Sequence, residues 1–339
     1  MPEIRKDPFS NRWVVFSPER LRRPLHFEAE SEIVFNEEDN PFIEGHESYT
    51  PPEVYASRNG SAPNSPGWKV RVVPNRFPAL RIEGELKKEA VGFYDMMTGV
   101  GAHEVVIETP EPGLELEDLD SEGIAEVLKA YRARFLDLKQ DSRFYYLMVF
   151  KNVGAFAGAS IPHAHSQIVA LPFIPIAVKE QLDTARKYYA EKERCLFHDI
   201  LNAEMKFQKR MVYENQRFGV YCPYASRFAF ETCIMPKAQQ ADFYRLEDHD
   251  LLQLADVLKL VLSKYRSALK KPSYNLVLTT APFRREHSGY WETIDQDFRW
   301  HLTIMPRLTG LAGFEMGTGC YINSVYPAHA AETLREAVV

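Results

Sequence analysis

Two histidines and a glutamine stand at alternate positions of one short segment, His163-Ala-His165-Ser-Gln167. In an extended strand, side chains two residues apart point to the same face, so these three would project together. A neutral imidazole is a competent nucleophile toward phosphorus near pH 7 when an acceptor holds its second ring nitrogen. The segment therefore predicts a site that forms a covalent phosphorus–histidine intermediate, with His165 as the nucleophile.

The loop before this segment, residues 154–160, consists mostly of glycine, alanine and serine. Such a backbone can approach a ligand closely, and consecutive free N–H groups can form a nest for phosphate oxygens. Gly158 is expected to border the phosphate, while Gln167 and the Ser160 hydroxyl hydrogen-bond its non-bridging oxygens in the transition state. A metal-binding pair, or histidines that only fill a strand, is the alternative interpretation of the same pattern.

The elements that would position these residues occur twice. In each copy a β-rich segment precedes a Leu-Glu-Asp sequence, an amphipathic helix and two strands, and equivalent points lie roughly 130 residues apart. The pattern predicts an α+β fold of two duplicated histidine-triad-like halves, each an antiparallel sheet with a long packed helix. The first half is expected at 1–195, with an irregular arm and the catalytic strand, and the second at 196–339.

The second copy serves as an internal control for the nucleophile. When Pro172 and Pro306, which close the two copies, are aligned, Arg299 stands opposite His165. The second copy has therefore lost the histidine. One active half and one supporting half is the expected arrangement.

Composition restricts the class of partner. A formal charge of −6 and a pI near 6.0 give no overall attraction to nucleic acid or anionic membranes, so any phosphate must be met by a local site. The absence of a long apolar run or a leader pattern favours a cytoplasmic protein that acts on a small molecule. Four scattered cysteines fit neither a disulfide framework nor a thiolate metal site: Cys195, Cys222, Cys233 and Cys320.

Over nearly its whole length the sequence resembles the galactose-1-phosphate uridylyltransferase family, a branch of the histidine-triad superfamily built from duplicated α+β halves. Besides the HxHxQ segment, the resemblance rests on an opening arm at 8–24, on the stretch 73–80 and on a C-terminal segment at 313–323. It implies a homodimer in which the C-terminal segment closes over the sugar site of the neighbouring subunit. The implied substrate contacts are Arg20 and Arg23 to phosphates, Asn75 and Asn152 to the nucleotide, and Glu315 to a sugar hydroxyl.

The resemblance also implies a two-step reaction on nucleotide sugars and sugar phosphates. UDP-glucose would leave its uridylyl group on His165, glucose 1-phosphate would depart, and galactose 1-phosphate would accept the group, with no cofactor taking part. The ending at 317–323 is also similar to a branch with ADP-glucose phosphorylase activity, in which phosphate accepts an adenylyl group. This is the first alternative, and a nucleotide hydrolase or a non-catalytic nucleotide-binding protein is more remote.

A structural zinc ion is the remaining implication of the family. Its site combines a CxxC pair in the arm with two histidines, which the resemblance assigns to His103 and His163. The arm here reads Asn40-Pro-Phe-Ile43 and lacks both cysteines. Since two histidines alone do not complete a tetrahedral structural site, the sequence does not favour bound zinc.

Overall fold

The computed structural model of the chain describes residues 2–22, 36–285 and 292–339. Within them the strands are β1 (Glu3–Lys6), β2 (Trp13–Phe16), β3 (Tyr55–Arg58), β4 (Trp68–Pro74), β5 (Lys88–Val91), β6 (Tyr94–Met97), β7 (Ala102–Ile107), β8 (Tyr146–Val153), β9 (His165–Leu171), β10 (Met211–Glu214), β11 (Phe218–Tyr221), β12 (Thr232–Pro236), β13 (Tyr274–Thr279), β14 (His301–Pro306) and β15 (Tyr321–Asn323). The helices are α1 (Ser121–Leu138), α2 (Ile176–Lys192), α3 (Leu196–Phe207), α4 (Asp248–Leu269), α5 (Ile294–Asp297), α6 (Gly313–Thr318) and α7 (Pro327–Glu336).

One antiparallel sheet of ten strands carries both halves, in the order β10-β11-β12-β14-β13-β8-β9-β7-β4-β3. The order on one side of the central β13–β8 pair mirrors the order on the other. At the junction Tyr274 pairs with Val153 and Leu278 with Val149. The predicted α+β fold of two duplicated halves is therefore confirmed, and the two half-sheets join into one. The predicted boundary at residue 195 falls between α2 and α3 and stays a prediction.

The two long helices pack against each other and against one face of this sheet. In α1 the apolar side chains recur every three or four residues and are buried, which is the pattern of a helix with one face on a core. The helix begins after Asp120, whose carboxylate accepts a 2.7 Å hydrogen bond from the Gly123 N–H. Buried side chains of α1, α4 and the sheet form one continuous core.

The arm and the C-terminal segment meet in a second, three-stranded sheet of order β1-β2-β15. The C-terminal strand β15 runs parallel to β2, so that Tyr321 lies opposite Val14. Residues far apart in the chain thereby form one surface. No helix among the described residues has both the length and the apolar character needed to cross a membrane.

Successive side chains of strand β9 point alternately toward the core and toward a cleft on the other face of the sheet. Ser166, Ile168 and Ala170 face the helices, where Ile168 and Ala170 are part of the core. His165 and Gln167 point to the opposite face of the sheet and line a cleft there. The fold therefore turns the HxHxQ strand so that its chemical residues face away from the core.

Candidate active site

His165 lies at the start of β9, in a cleft of about 850 Å³. Its Nδ1 is 2.7 Å from the backbone oxygen of His163, and because a carbonyl oxygen can only accept, Nδ1 carries the ring proton. Burial lowers the pKa of His165 below its usual value, against the effect of this hydrogen bond. At neutral pH the ring is therefore uncharged, and Nε2 retains the lone pair that a nucleophile needs.

Three other predicted site residues line the same cleft: Ser160, Gln167 and Asn75. Gln167 shares the strand face of His165, and Ser160 comes from the loop that precedes β9. Asn75 follows β4, two strands away, and its backbone N–H donates a 2.8 Å hydrogen bond to the carbonyl of His103. The fold thus brings an imidazole, two amide groups and a hydroxyl together.

The loop 154–160 is tighter than the sequence predicts. Gly154 and Gly158 adopt positive φ angles of 80° and 84°, which side chains rarely tolerate. Within the loop, the N–H groups of Ala157 and Ala159 donate to the Gly154 carbonyl, and that of Gly158 donates to the Ala155 carbonyl. These three N–H groups are therefore occupied, and the expected anion nest cannot be built from them.

Asn152 lies outside the His165 cleft. Its Oδ1 accepts a 2.8 Å hydrogen bond from Asn275 of β13, across the junction of the two halves. The same Asn275 amide donates to the carbonyl of Ala157 in the loop. Asn152 therefore contributes to the junction, while Asn275 also holds the loop. A direct nucleotide contact by Asn152 remains only a prediction.

Arg20 and Glu315 also lie apart from His165, in a separate cleft of about 600 Å³. Arg20 belongs to a short 3-10 helix after β2, and Glu315 to α6 just before β15. Arg307 and Tyr321 line this second cleft as well. Arg23, the other predicted phosphate contact, lies outside the described residues.

The structure does not bring the two predicted zinc histidines together. His103 pairs with Val169 near the far end of β9, whereas His163 precedes that strand. The six residue steps from 163 to 169 span about 20 Å in an extended chain. No group of three or more His, Cys, Asp or Glu side chains converges on a metal position in the part of the chain that the structure describes.

Both ring nitrogens of His163 are already engaged, which also disagrees with a zinc ligand. Nε2 donates to the carbonyl of Thr109 at 2.7 Å, and Nδ1 lies 3.0 Å from the side-chain nitrogen of Asn40, from which it accepts. The Asn40 carbonyl oxygen of the side chain accepts from the Phe42 N–H at 3.0 Å, which fixes the orientation of the amide. Asn40 therefore stands where the family's first cysteine would be and holds the histidine by a hydrogen bond.

A buried ion pair beneath β9 is a feature that sequence reasoning missed. Lys151 of β8 lies 2.8 Å from Glu108, and both side chains are essentially inaccessible, at 1% and 0% exposure. Burial alone would lower the pKa of Lys151, but Glu108 and Glu115 outweigh it and the pKa is raised. The ammonium group also donates to the backbone oxygen of His165 at 3.3 Å. The signal in the sequence was a lysine directly after the run 146–150 of β8.

The position equivalent to His165 in the second half is occupied by an arginine. Arg299, opposite His165 in the duplication, is buried and donates to the carbonyl oxygens of Pro236 and Lys237 at 2.9 and 3.1 Å. These bonds hold the connection after β12. At this position the second half therefore has an arginine with structural hydrogen bonds.

Family models and known proteins similar to this chain cover its whole length. A family model described as "Galactose-1-phosphate uridyl transferase, N-terminal domain" matches residues 1–175, and one described as "Domain of unknown function (DUF4921)" matches residues 125–339. An ADP-glucose phosphorylase from Arabidopsis thaliana is 38% identical, over 99% of this chain and 93% of that protein. A galactose-1-phosphate uridylyltransferase from Thermotoga maritima is 28% identical, over 100% of this chain and 99% of that protein.

Among solved structures, an ADP-glucose phosphorylase from Arabidopsis thaliana with bound ADP-glucose is 35% identical, with a TM-score of 0.85 and full coverage of both chains. The relatives of both activities are nucleotidyltransferases, and the similarity extends over the whole chain. The predicted resemblance is confirmed: the chain belongs to the galactose-1-phosphate uridylyltransferase family and is a nucleotidyltransferase.

Proposed function

We propose that the chain transfers an adenylyl group from ADP-glucose to phosphate, through a covalent adenylyl-His165 intermediate. The observation that carries this choice is the 38% identity with an ADP-glucose phosphorylase, against 28% with a uridylyltransferase, at nearly complete coverage in both cases. The proposal corrects the preference drawn from the sequence, which favoured uridylyl transfer. The sequence's first alternative becomes the leading function.

In the first step Nε2 of His165 attacks the α-phosphorus of ADP-glucose. A P–N bond forms, the bond from the α-phosphorus to the bridging oxygen breaks, and glucose 1-phosphate leaves with the bonding electrons. Nδ1 keeps its proton and its hydrogen bond to the His163 carbonyl, which stabilises the positive charge that develops on the ring. Gln167 and Ser160 line the cleft where the non-bridging oxygens would lie.

In the second step an oxygen of inorganic phosphate attacks the same phosphorus. The P–N bond breaks, ADP leaves, and His165 returns to its neutral form with the lone pair on Nε2. Because both steps take place at one phosphorus, the residues that stabilise the first transition state also serve the second. Water would give AMP instead of ADP if it were the acceptor.

Uridylyl transfer to a hexose 1-phosphate is the second candidate. It is favoured by the family model over residues 1–175 and by the Thermotoga maritima relative. The two candidates use the same nucleophile and differ in base and acceptor. They are therefore separated by substrate and not by mutation of His165.

We further infer that a second copy of the chain completes the site. Arg20 and Glu315, which the family resemblance assigns to substrate, line a cleft apart from His165. In a homodimer that cleft could face the partner's His165, as the resemblance implies. Mixing the variants His165→Gly and Glu315→Ala, each also assayed alone, tests this point. Activity of the mixture should exceed that of either variant only if His165 and Glu315 of one site come from different copies.

The main test uses α-³²P-labelled ADP-glucose and UDP-glucose with native protein, His165→Gly and the control variant His249→Gly, which removes an exposed histidine on α4. We expect acid-labile label from ADP-glucose on the native and control proteins and none on His165→Gly. Addition of phosphate should release the label as ADP.

Three outcomes would contradict the proposal. Label from UDP-glucose alone, discharged by galactose 1-phosphate, would establish the second candidate. Label on His165→Gly would disprove the nucleophile. Phosphate-independent release of AMP would indicate a hydrolase.

A further inference from the structure

The side-chain amide of Gln167 has two chemically opposite ends, and only one of them suits a phosphate. Its NH₂ group can donate to phosphate oxygens, whereas its carbonyl oxygen would be repelled by them. The two orientations fill the same space, so packing does not choose between them. A hydrogen bond to one end has to fix the amide.

His103, on the neighbouring strand β7, makes that bond. Its Nε2 lies 2.7 Å from Oε1 of Gln167, and its Nδ1 lies 3.1 Å from the backbone nitrogen of Ala79. Because a backbone N–H can only donate, Nδ1 accepts and the ring proton is on Nε2. Nε2–H must then face an oxygen, which leaves the NH₂ group of Gln167 for the cleft that the residue lines.

The segment 75–79 anchors this chain of hydrogen bonds. It supplies the Ala79 N–H, and the Asn75 N–H donates to the His103 carbonyl at 2.8 Å. Asn75 Oδ1 accepts from the Phe77 N–H at 2.8 Å, so the Asn75 amide is fixed by a backbone donor as well. Its Nδ2 then lies 3.2 Å from His103 Nε2, and because both atoms carry protons this contact is not a hydrogen bond and leaves Gln167 Oε1 as the acceptor for Nε2–H. Asn75 and Phe77 line the same cleft as His165. His103 thus joins this segment to the amide beside the nucleophile.

We propose that His103 is a positioning residue for nucleotidyl transfer, which holds the Gln167 amide with its NH₂ group toward the reacting phosphate. This inference rests on the proposed function, since transfer at His165 is the step it affects. His103 acts through Gln167 and has no metal-binding role. His103, which the family resemblance assigned to a zinc site, is instead assigned to the orientation of the Gln167 amide.

Two substitutions separate the hydrogen bond from the volume of the ring. In His103→Gln, the side chain has a donor near the position of Nε2 and an acceptor for the Ala79 N–H. In His103→Phe, a ring of similar size has neither. Loss of one aligned donor at a developing oxyanion costs about 10²- to 10³-fold in rate, and a freely turning amide retains part of its effect. We therefore expect His103→Phe to slow labelling of His165 by about 10- to 100-fold and His103→Gln by less than about 5-fold.

The kinetic readout is single-turnover labelling of His165 from α-³²P-ADP-glucose and α-³²P-UDP-glucose, with ligand affinity measured in parallel. We expect His103→Phe to lower the rate while the Kd of the nucleotide sugar changes by less than about 2-fold. The double variant His103→Phe/Gln167→Ala should be no slower than Gln167→Ala, because both changes remove the same contact. A native rate in His103→Phe, or fully multiplicative effects in the double variant, would overturn the proposal.

A structural readout needs no turnover. Long-range ¹H–¹⁵N NMR correlations of the histidine rings, assigned with His103→Gln, should show His103 as the Nε2–H tautomer. An Nδ1–H tautomer would overturn the proposal even in a fully active enzyme. If native protein is labelled from neither nucleotide sugar, the proposed function is wrong, and the positioning role of His103 in transfer is wrong with it. The two kinds of failure are therefore distinguishable.

Discussion

Replacing Lys151 by methionine should destabilise the protein more than almost any other conservative change in β8. Methionine has a similar length and suits the core, so the variant removes the charge with little change of volume. It leaves Glu108 at 0% exposure without its 2.8 Å partner. Removing one member of a buried ion pair costs about 3–5 kcal/mol, because the remaining charge is desolvated and unpaired.

This loss can be expressed as a shift in melting temperature. At about 2.1 cal/mol/K of unfolding entropy per residue, a chain of 339 residues loses about 6 °C in Tm for a loss of about 4 kcal/mol. Urea denaturation followed by tryptophan fluorescence would measure the free energy directly. Lys139→Met is a suitable control, because that lysine is partly exposed and its ammonium group contacts the Tyr244 hydroxyl and ring.

The double variant Lys151→Met/Glu108→Gln decides whether charge is the cause. Glutamine keeps the shape of Glu108 without its charge, so we expect the double variant to regain at least half of the lost stability. If Lys151→Met costs less than about 1 kcal/mol, or if the double variant is less stable than the single one, the assignment of a buried charge pair is wrong.

Three further predictions concern the surroundings of the site. Asn40→Ala should cost about 1–3 kcal/mol in urea denaturation and slow labelling of His165, because His163 Nδ1 loses its donor; unchanged stability and rate would contradict this role. Burial lowers the pKa of His301 to about 4. Between this value and about pH 6.5 the unfolded chain binds a proton that the folded protein does not bind, so the free energy of unfolding should fall by about 2 kcal/mol by pH 5. His301→Phe should remove this loss, as the difference between urea midpoints at pH 7 and pH 5 would show; an unchanged difference would refute it. Arg20→Ala should raise the Kd of the nucleotide sugar about 10-fold by calorimetry, measured on His165→Gly to prevent turnover; an unchanged Kd would mean that the arm does not bind phosphate.

A neighbouring acid, Asp297, changes the stability of the folded protein with pH in the opposite direction to His301. Burial raises the pKa of Asp297 to about 6. The folded protein therefore holds a proton on Asp297 that the unfolded chain releases, and this contribution to stability is lost as pH rises through that range. Native protein shows the sum of both effects, whereas the variant isolates the histidine.

Local patterns in the sequence were enough to predict the HxHxQ strand and the duplication. The alternation in β9 separates His165 and Gln167 from Ile168 and Ala170, and a period of two is visible in the sequence itself. The helix period of α1 and α4 is equally local. The mirrored strand order follows from the repeat, which explains why the fold class could be predicted and confirmed.

The hydrogen-bond partners of the site residues could not be predicted from local sequence patterns. His103 meets Gln167 only because β7 pairs with β9 in one register, with Val105 opposite Gln167. A shift of a single residue would turn His103 to the other face of the sheet. A histidine also suits a metal and a hydrogen bond equally, so residue type did not decide. The Ala79 N–H, which donates to His103 Nδ1, favours the hydrogen-bonding role. The position of a backbone donor cannot be predicted from residue types.

Asn152 shows the same limit at the junction of the halves. From sequence it belongs to the phosphate loop, because it stands two residues before Gly154. In the structure its partner is Asn275, more than one hundred residues later, at the matched position of β13. Only the β8–β13 pairing reveals this contact. Pairing between duplicated halves is a tertiary event that neither half encodes alone.

The two halves differ most in what fills the cleft on the open face of the sheet. In the first half the space beside Gln167 is about 850 Å³, and in the second half the space beside His301 is about 90 Å³. The arm accounts for the difference: Phe9 stacks on Phe197 with ring centroids 4.5 Å apart and lies 6.3 Å from His301. A cavity of that size holds a few water molecules and no nucleotide. The arm therefore closes the cleft of the second half and is anchored there, and the 3-10 helix after β2 carries Arg20.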